Sequence, residues 1–445
     1  MDQRSLQTRL EICYKVYELY SDILNSYVAD YYVENHWNKL STSWKQYFNN
    51  IEVNQLSNIL NLGKPLDNQM YPLTLLCLRN IITKYTLSRK MVTPISVSPS
   101  VIDNKFMNFF WKNVKLKKRH EIDVMSKLCY DLAIKTKCFH IVDIGSGLGH
   151  LSRMLSYGYG FSVCTFEAVD ALTNLATAMD TNFEETLNKR NIKHKSTFRT
   201  VHINKKISTE LIKTEFLNLV IQAFKKNIKF GLVGLHPCGD LGTLLLKLYT
   251  HCPNIVYINI ASCCYMKITL EPLDEAYFPL SQFCKNKHMT LSYLSCEIAC
   301  HAIENYSEKL KNAEEYQKLK IHSYRAALED ILVTADPNLR HSMICGAKCD
   351  KNLTFKKYVE KVCDKLHIIA DEKILLYENI VNNTWNKVVS FYSVRLLLAP
   401  VVENIVLLDR LLYVLESGSF CKILPVFDCN ISPRNQVLSG VKIKK

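Results

Sequence analysis

Residues 140–151, H-I-V-D-I-G-S-G-L-G-H-L, constrain this chain more than any others. The apolar, β-branched run His140–Ile144 predicts a buried strand, and the apolar residues from Leu151 predict a helix. Between them three alternating glycines, Gly145, Gly147 and Gly149, predict a tight turn. Glycine lets a ligand come close to the backbone, and a helix N-terminus presents unpaired N–H groups with partial positive charge. A second strand, Phe161–Glu167, ends in an acid 22 residues past Gly145, the separation at which a neighbouring strand end brings a carboxylate to a ribose diol. A bound nucleoside follows. A dinucleotide would want G-x-G-x-x-G, whereas here the third glycine comes one residue early and His150 stands in the last place. The pattern D-x-G-x-G-x-G from Asp143 favours S-adenosyl-L-methionine over NAD. Asp143, Gly145, Ser146, Gly147, Gly149 and Glu167 are the expected cofactor-binding residues. A turn with a purely structural role would require neither the third glycine nor the acid.

The rest of the chain supplies the alternation that such a turn needs. A helix is expected over 121–136 before the first strand, then helices near 171–178 and 241–249. Further strands are expected at Thr197–Ile203, Phe230–Leu235 and Ile255–Ala261, the last two as continuous apolar runs suited to the centre of a parallel sheet. After Met266 the pattern is helical for about a hundred residues, longer than an ordinary connection. It returns to β at Phe420–Phe427 and Gln436–Lys442, read as a terminal antiparallel hairpin. Residues 5–60 and 73–88 are helical by period, and Pro94–Pro99 reads as a linker. The division is a helical N-terminal region, 1–100, and an α/β domain, 101–445, whose core is 101–266 and 396–445 with a helical insertion over about 267–395.

Charge and cysteine usage bound the partners. The chain carries a formal charge of +14, concentrated in Lys115–Arg119, in Lys189–Lys206 and in Lys225–Lys229. Such clusters suit phosphate-bearing partners such as RNA, although a solvated lysine-rich surface looks the same and no RNA-binding signature accompanies them. Seventeen cysteines, scattered through apolar runs, suit a reducing compartment, cytoplasmic or nuclear. The N-terminus has no apolar segment of the secretory kind. Leu396–Leu415 is the most apolar stretch, but Glu403, Asp409 and Arg410 make it a buried helix rather than a membrane span.

Ligands of open α/β sheets bind beyond the carboxyl ends of the strands. The two central tails are His236-Pro237-Cys238-Gly239-Asp240 and Ser262-Cys263-Cys264-Tyr265-Met266, and both should face the glycine turn. The candidate catalytic residues are therefore His236, Cys238, Asp240, Cys263, Cys264 and Tyr265. His236 has the chemistry of a base with Asp240 as its orienter, Cys263 or Cys264 that of a nucleophile, and Tyr265 that of a ring-stacking or cofactor-covering group. Each has a plainer reading as a strand-end or core residue. Paired C-x₂-C spacing is absent, so no metal is expected.

With these motifs in view, the chain resembles the methyltransferase-like protein 25 family, which includes a branch named for a ribosomal RNA adenine dimethylase domain. The resemblance rests on KLKKRHEI (Lys115–Ile122), VDIGSGLGHLSR (Val142–Arg153), LHPCGDL (Leu235–Leu241), CCYMKI (Cys263–Ile268), SYRAALE (Ser323–Glu329), LLLAPVVENIVLLDRLLY (Leu396–Tyr413) and SPRNQVL (Ser432–Leu438). It implies a seven-strand, Rossmann-like class I methyltransferase sheet with the glycine turn and Glu167 in the cofactor site. It also makes Lys118, His120 and Glu121 candidates for the methionine end of the cofactor. LHPCG and CCY are distantly similar to elements of tRNA ribose 2′-O-methyltransferases, but the lysine that precedes the histidine in those enzymes is missing. The N-[IL]-P-[FY] grip of adenine dimethylases is absent. The expected function is methylation of a macromolecule, RNA ahead of protein. The competing reading is a non-catalytic cofactor-binding module whose N-terminal helices and insertion serve a protein partner, since Ile203-Asn204-Lys205 offers no acid for the adenine ring. Arg434 and Asn435, in the hairpin loop, border a substrate mouth or make a turn.

Overall fold

The computed structural model describes residues 2–92, 102–112, 114–272, 275–342, 353–363 and 371–442; the expected linker at Pro94–Pro99 lies outside them. Two compact units emerge. The first comprises Met1–Leu10, Ser88–Leu291 and Ile405–Lys445, and the second Glu11–Leu87 with Ser292–Asn404. These lines differ from a division at residue 100, because the helices before residue 88 contact those of the expected insertion, for example Val53–Leu60 against Ile303–Lys311.

The first unit is built on a seven-stranded sheet of order β3-β2-β1-β4-β5-β7-β6. The strands are β1 (His140–Ile144), β2 (Ser162–Glu167), β3 (Val201–Asn204), β4 (Phe230–Leu235), β5 (Ile255–Ala261), β6 (Phe420–Pro425) and β7 (Gln436–Val441). The first five are mutually parallel; β7 runs antiparallel between β5 and β6. The order reverses at β1, which pairs with β2 on one side and β4 on the other, so a crevice opens at the carboxyl ends of β1 and β4. The fold class and the terminal hairpin are as the sequence leads one to expect.

Packing explains why the central strands read as apolar runs. Ile141, Val163, Val233, Tyr257 and Val437 are buried in one cluster with Met125, Leu128 and Leu132 of the helix Leu116–Thr136. Gly231 is required at the β4 to β5 contact, since a Cβ there would stand 2.0 Å from the ring of Tyr257. The helix Asp170–Lys189 is longer than expected, and the weak third strand shortens to four residues.

Helix Glu372–Glu416 is long and apolar enough by composition to cross a membrane, but its apolar window is entirely buried within the protein. Its charges are used internally. Asp409, 1% exposed, accepts from Leu280 N and Ser281 N, both at 2.8 Å, and from Ser281 Oγ at 2.7 Å. Arg410 donates to Ser262 Oγ at 2.7 Å and to Gly239 O at 3.4 Å.

The second unit is helical. Tyr324, Leu328, Ile331, Phe355 and Tyr358 form its core cluster. Arg395 is buried at 1% exposure and ties the N-terminal helices to the later ones, donating to Leu24 O at 3.1 Å, Leu294 O at 2.8 Å and Glu297 Oε2 at 3.3 Å.

Candidate active site

The glycine turn adopts the backbone that only glycine holds without strain: Gly145, Gly147 and Gly149 have φ of 71°, 56° and 70°. Gly145 N donates to Phe166 O of β2 at 2.8 Å, and Gly147 N donates to Glu167 Oε2 at 2.9 Å. The second oxygen, Oε1, accepts from Val169 N at 3.0 Å. Glu167 is thus a brace for the turn as well as an acid at the end of β2. Behind the turn Arg153, 3% exposed, is paired with Asp180 and donates to Leu148 O, while His202 Nε2 reaches Asp180 Oδ2 at 2.9 Å. Asn204, where an adenine-binding acid was sought, donates to Glu167 O and Thr173 Oγ1, both at 3.2 Å.

Asp143, on the strand side of the turn, is 2% exposed and accepts from Ser152 Oγ at 2.6 Å. Burial raises its carboxyl to about 6, with Ser152 and His202 opposing. His150 is pushed down to about 4 by burial, then by the charges of Lys118 and Arg153, so its imidazole is neutral at pH 7. Ser146 Oγ is buried with no hydrogen-bond partner.

A cavity of about 370 Å³ opens at this crevice, and its walls include Asp143, Gly145, Ser146, Gly147, His150 and His236. The exposed Lys115, Lys117 and Lys118 and the buried Glu121 also line it. His236, at the end of β4, has φ of 67°, a left-handed conformation uncommon outside glycine in which asparagine, aspartate and histidine are the side chains most often found. Its Nε2 lies 3.0 Å from Glu121 Oε2. Glu121 is 3% exposed, and its other oxygen accepts from Ser432 Oγ at 2.6 Å. Burial alone would raise the Glu121 carboxyl; hydrogen bonding and charge from His236, then Ser432 and Lys117, outweigh it and hold the pKa below the ordinary value.

Several expected residues stand elsewhere. Asp240 does not orient His236: it is the first residue of the helix Asp240–His251, and its carboxylate accepts from Thr269 N and Thr269 Oγ1, both at 2.7 Å. The orienter is Glu121, which the sequence assigned to the methionine end of the cofactor. His120 points to the hairpin loop, where Nε2 accepts from Asp428 N at 2.8 Å. Tyr265 is 2% exposed, with the Arg434 guanidinium 5.9 Å above its ring. Asn435 is fully buried and donates to Arg89 O at 2.8 Å, so it holds the loop.

Cys238, Cys263 and Cys264 come together outside the cavity lining. Cys238 Sγ is 3.1 Å from Cys263 Sγ and 3.3 Å from Cys264 Sγ, and the last two are 3.5 Å apart. Hydrogen bonding from Cys263, then Cys264, with the charges of Lys267 and His236, brings Cys238 down to about 5 against the effect of burial. The Cys263 and Cys264 thiols are pushed up.

Five parallel strands, an antiparallel hairpin with β7 beside β5, and a glycine turn braced by an acid at the end of β2 define a class I methyltransferase fold. A family profile described as "Methyltransferase domain" matches residues 117–271, which hold the turn, Glu167, His236 and the three cysteines. "Probable methyltransferase-like protein 25" of Mus musculus is 23% identical over 299 residues, 63% of this chain and 48% of that protein. The protein of the same name from Homo sapiens is 26% identical over 227 residues, 47% of this chain and 36% of that protein. The chain is similar to these methyltransferase-like proteins, and its matches span about half the length of those relatives or less. A solved structure, the SAH-bound Podospora anserina methyltransferase PaMTH1, superposes with 10% identity and a TM-score of 0.26, covering 78% of this chain and 100% of that one, an overlap too loose to carry an argument.

Proposed function

We propose that the protein transfers a methyl group from S-adenosyl-L-methionine to a macromolecular acceptor, RNA ahead of protein, with His236 as the base. The observation that carries this reading is that the His236–Glu121 pair opens into the same cavity as the glycine turn. The cofactor fits the residues on two counts. Ser146 Oγ is a buried polar atom in want of a partner, and a Cβ on Gly147 would meet nothing within 4 Å, which leaves open space beside the backbone. Gly145, Ser146, Gly147 and Asp143 would hold the cofactor, with the Glu167 carboxylate as the acceptor for its ribose; the activated methyl group is the chemistry it supplies.

With Nε2–H donated to Glu121, the lone pair of His236 lies on Nδ1, the atom that takes the acceptor's proton. Glu121 stabilises the imidazolium that results and fixes the ring. Cys238, Cys263 and Cys264 have no part in this step. Three lysines lining the cavity, with the exposed clusters Lys189–Arg190 and Lys205–Lys206, favour an acceptor that carries phosphates.

A second reading, a cofactor-binding module without turnover, is favoured by Asn204, whose amide is engaged in internal hydrogen bonds where an adenine-binding acid is otherwise sought. Both readings meet one experiment. The purified full chain is titrated with adenosylmethionine by calorimetry, then incubated with labelled methyl donor and an extract from cells lacking the protein. Ribonuclease-sensitive label supports an RNA methyltransferase, and label lost only to protease moves the acceptor to protein. Binding without label selects the module. No binding at all overturns both readings.

A further inference from the structure

We propose that Cys238, Cys263 and Cys264 form a binding site for one thiophilic divalent cation, zinc by its coordination chemistry, that joins the carboxyl ends of β4 and β5. The spacing of these cysteines along the chain argued against a metal, because no C-x₂-C pair is present. Folding supplies what spacing does not. Cys238 comes from the loop after β4 and the adjacent pair from the loop after β5, and their three Sγ atoms lie 3.1, 3.3 and 3.5 Å from one another.

Those distances suit one ion. Zinc binds thiolates at about 2.3 Å, and an ion at that distance from all three sulfurs would sit about 1.3 Å above their plane. The result is a pyramid with a fourth position open. A tetrahedral set wants sulfurs about 3.8 Å apart, so the pairs would spread by about 0.3 to about 0.7 Å. A planar three-coordinate ion, with its metal in the sulfur plane, would demand more. The cysteines are only partly buried, which leaves the fourth position to water or another ligand.

The two loops are held for the purpose. Asp240 on the first loop accepts two hydrogen bonds from Thr269 beyond the second, both at 2.7 Å. Arg410 donates to Ser262 Oγ at 2.7 Å and Gly239 O at 3.4 Å, touching both loops at once. Gly239 has φ of 55°, and any Cβ there would stand 2.2 Å from Lys267 O, so the loops approach as closely as a glycine allows. The carbonyl of His236 accepts from Cys238 Sγ at 3.5 Å and Cys263 Sγ at 3.6 Å, which turns both sulfurs toward one point. The charges close: three thiolates and one Zn²⁺ give a complex of net charge −1, each sulfur that is still a thiol passing its proton to solvent as it binds, and the charge of Lys267 reaches Cys238 and Cys264.

The site is tested on the full chain, reduced and stripped with a chelator, by titration with Cd²⁺ and Zn²⁺. One equivalent of Cd²⁺ should raise a sulfur-to-cadmium charge-transfer band, and one equivalent of Zn²⁺ should abolish it. Loss of an outer-shell partner alone weakens metal sites about 10- to 100-fold, so Cys238→Ser or Cys263→Ser should cost at least about 100-fold in affinity. Cys77→Ser, at an exposed cysteine elsewhere, should cost nothing. On the unmodified protein, Zn²⁺ should protect Cys238, Cys263 and Cys264 together from alkylation, as read by peptide mass spectrometry, which does not depend on variants that fold. Absence of the band, a band retained when all three are serine, or alkylation unchanged by Zn²⁺ overturns the proposal. So does a disulfide among the three in protein isolated under reducing conditions. None of these readouts involves methyl transfer, so the site stands or falls apart from the enzymatic reading.

Discussion

Asp143→Asn should make the protein more stable at neutral pH while weakening its hold on the cofactor. Asp143 is buried beneath the glycine turn, and burial raises its carboxyl from 3.8 to about 6. A carboxyl whose pKa rises on folding binds its proton more tightly in the folded chain. Its contribution therefore favours folding fully below about pH 4 and is lost as pH climbs through about 6. The gap between 3.8 and about 6 corresponds to about 3 kcal/mol at pH 7.5. Asparagine keeps the shape and an oxygen for Ser152 Oγ but exchanges a charge-assisted hydrogen bond for a neutral one, a loss of about 1 kcal/mol. The variant should thus exceed the parent by about 2 kcal/mol at pH 7.5, and the advantage should vanish near pH 4. Urea unfolding of both proteins at several pH values from 4 to 8, without cofactor, measures the difference directly. Shared titrations cancel in that difference, so a value that does not change with pH refutes the assignment. Calorimetry on the same samples should show weaker adenosylmethionine binding by the variant at pH 7.5; unchanged affinity would remove Asp143 from the cofactor site.

Glu121→Gln has the opposite sign. The Glu121 pKa is lowered on folding, so its stabilisation is present above the ordinary carboxylate range and lost as pH falls through the lowered value. The variant should be destabilised by about 1.5–3 kcal/mol at pH 7, as for a hydrogen bond to a charged group, with the deficit shrinking in acid on the same urea series. His236→Asn suits the left-handed backbone but leaves one oxygen of the buried Glu121 without its imidazole partner, so it should cost about 1–3 kcal/mol of stability and should abolish labelling of the acceptor; retained labelling removes the imidazole from the mechanism. Gly147→Ala places its Cβ in open space at a φ of 56°, so the thermal midpoint should drop modestly, by about 1–2 kcal/mol of strain, while adenosylmethionine binding is lost. Gly239→Ala would put a Cβ 2.2 Å from a backbone oxygen and should yield little folded protein by circular dichroism.

The parts of the fold that the sequence revealed are those set by local chemistry. Alternating glycines after an apolar strand allow few backbones, and β4 and β5 are read from their apolar runs because both of their faces are covered. Four residues of β3 carry no such pattern, since Val201, His202 and Ile203 are only partly buried, and its short length reflects pairing with β2 rather than its own composition. The helices before residue 88 and those after 291 each look self-sufficient by period. Nothing local says that they share one core, because the link is made by groups such as Arg395, whose backbone acceptors lie 371 and 101 residues away.

The same distinction separates Asp240 from Glu121 as partners of His236. Asp240 stands four residues from His236, near enough in sequence to be taken as its partner, but it begins a helix, where the positive end of the dipole favours an acid, and both of its oxygens are taken by Thr269, 29 residues further along. Glu121 stands 115 residues before His236, on a helix whose face is decided by packing against the sheet. Burying a carboxylate there costs several kcal/mol unless it is paired, and the pairing is double, with the imidazole on one oxygen and the Ser432 hydroxyl on the other. Ser432 belongs to the SPRNQVL segment, so the last loop of the chain holds the acid that aims the histidine. Ser432→Ala should therefore reduce methyl transfer without touching the cofactor cavity. It should lower kcat and move its pH dependence while leaving adenosylmethionine affinity unchanged; an unaltered pH profile would show that Glu121 holds the ring without that hydroxyl.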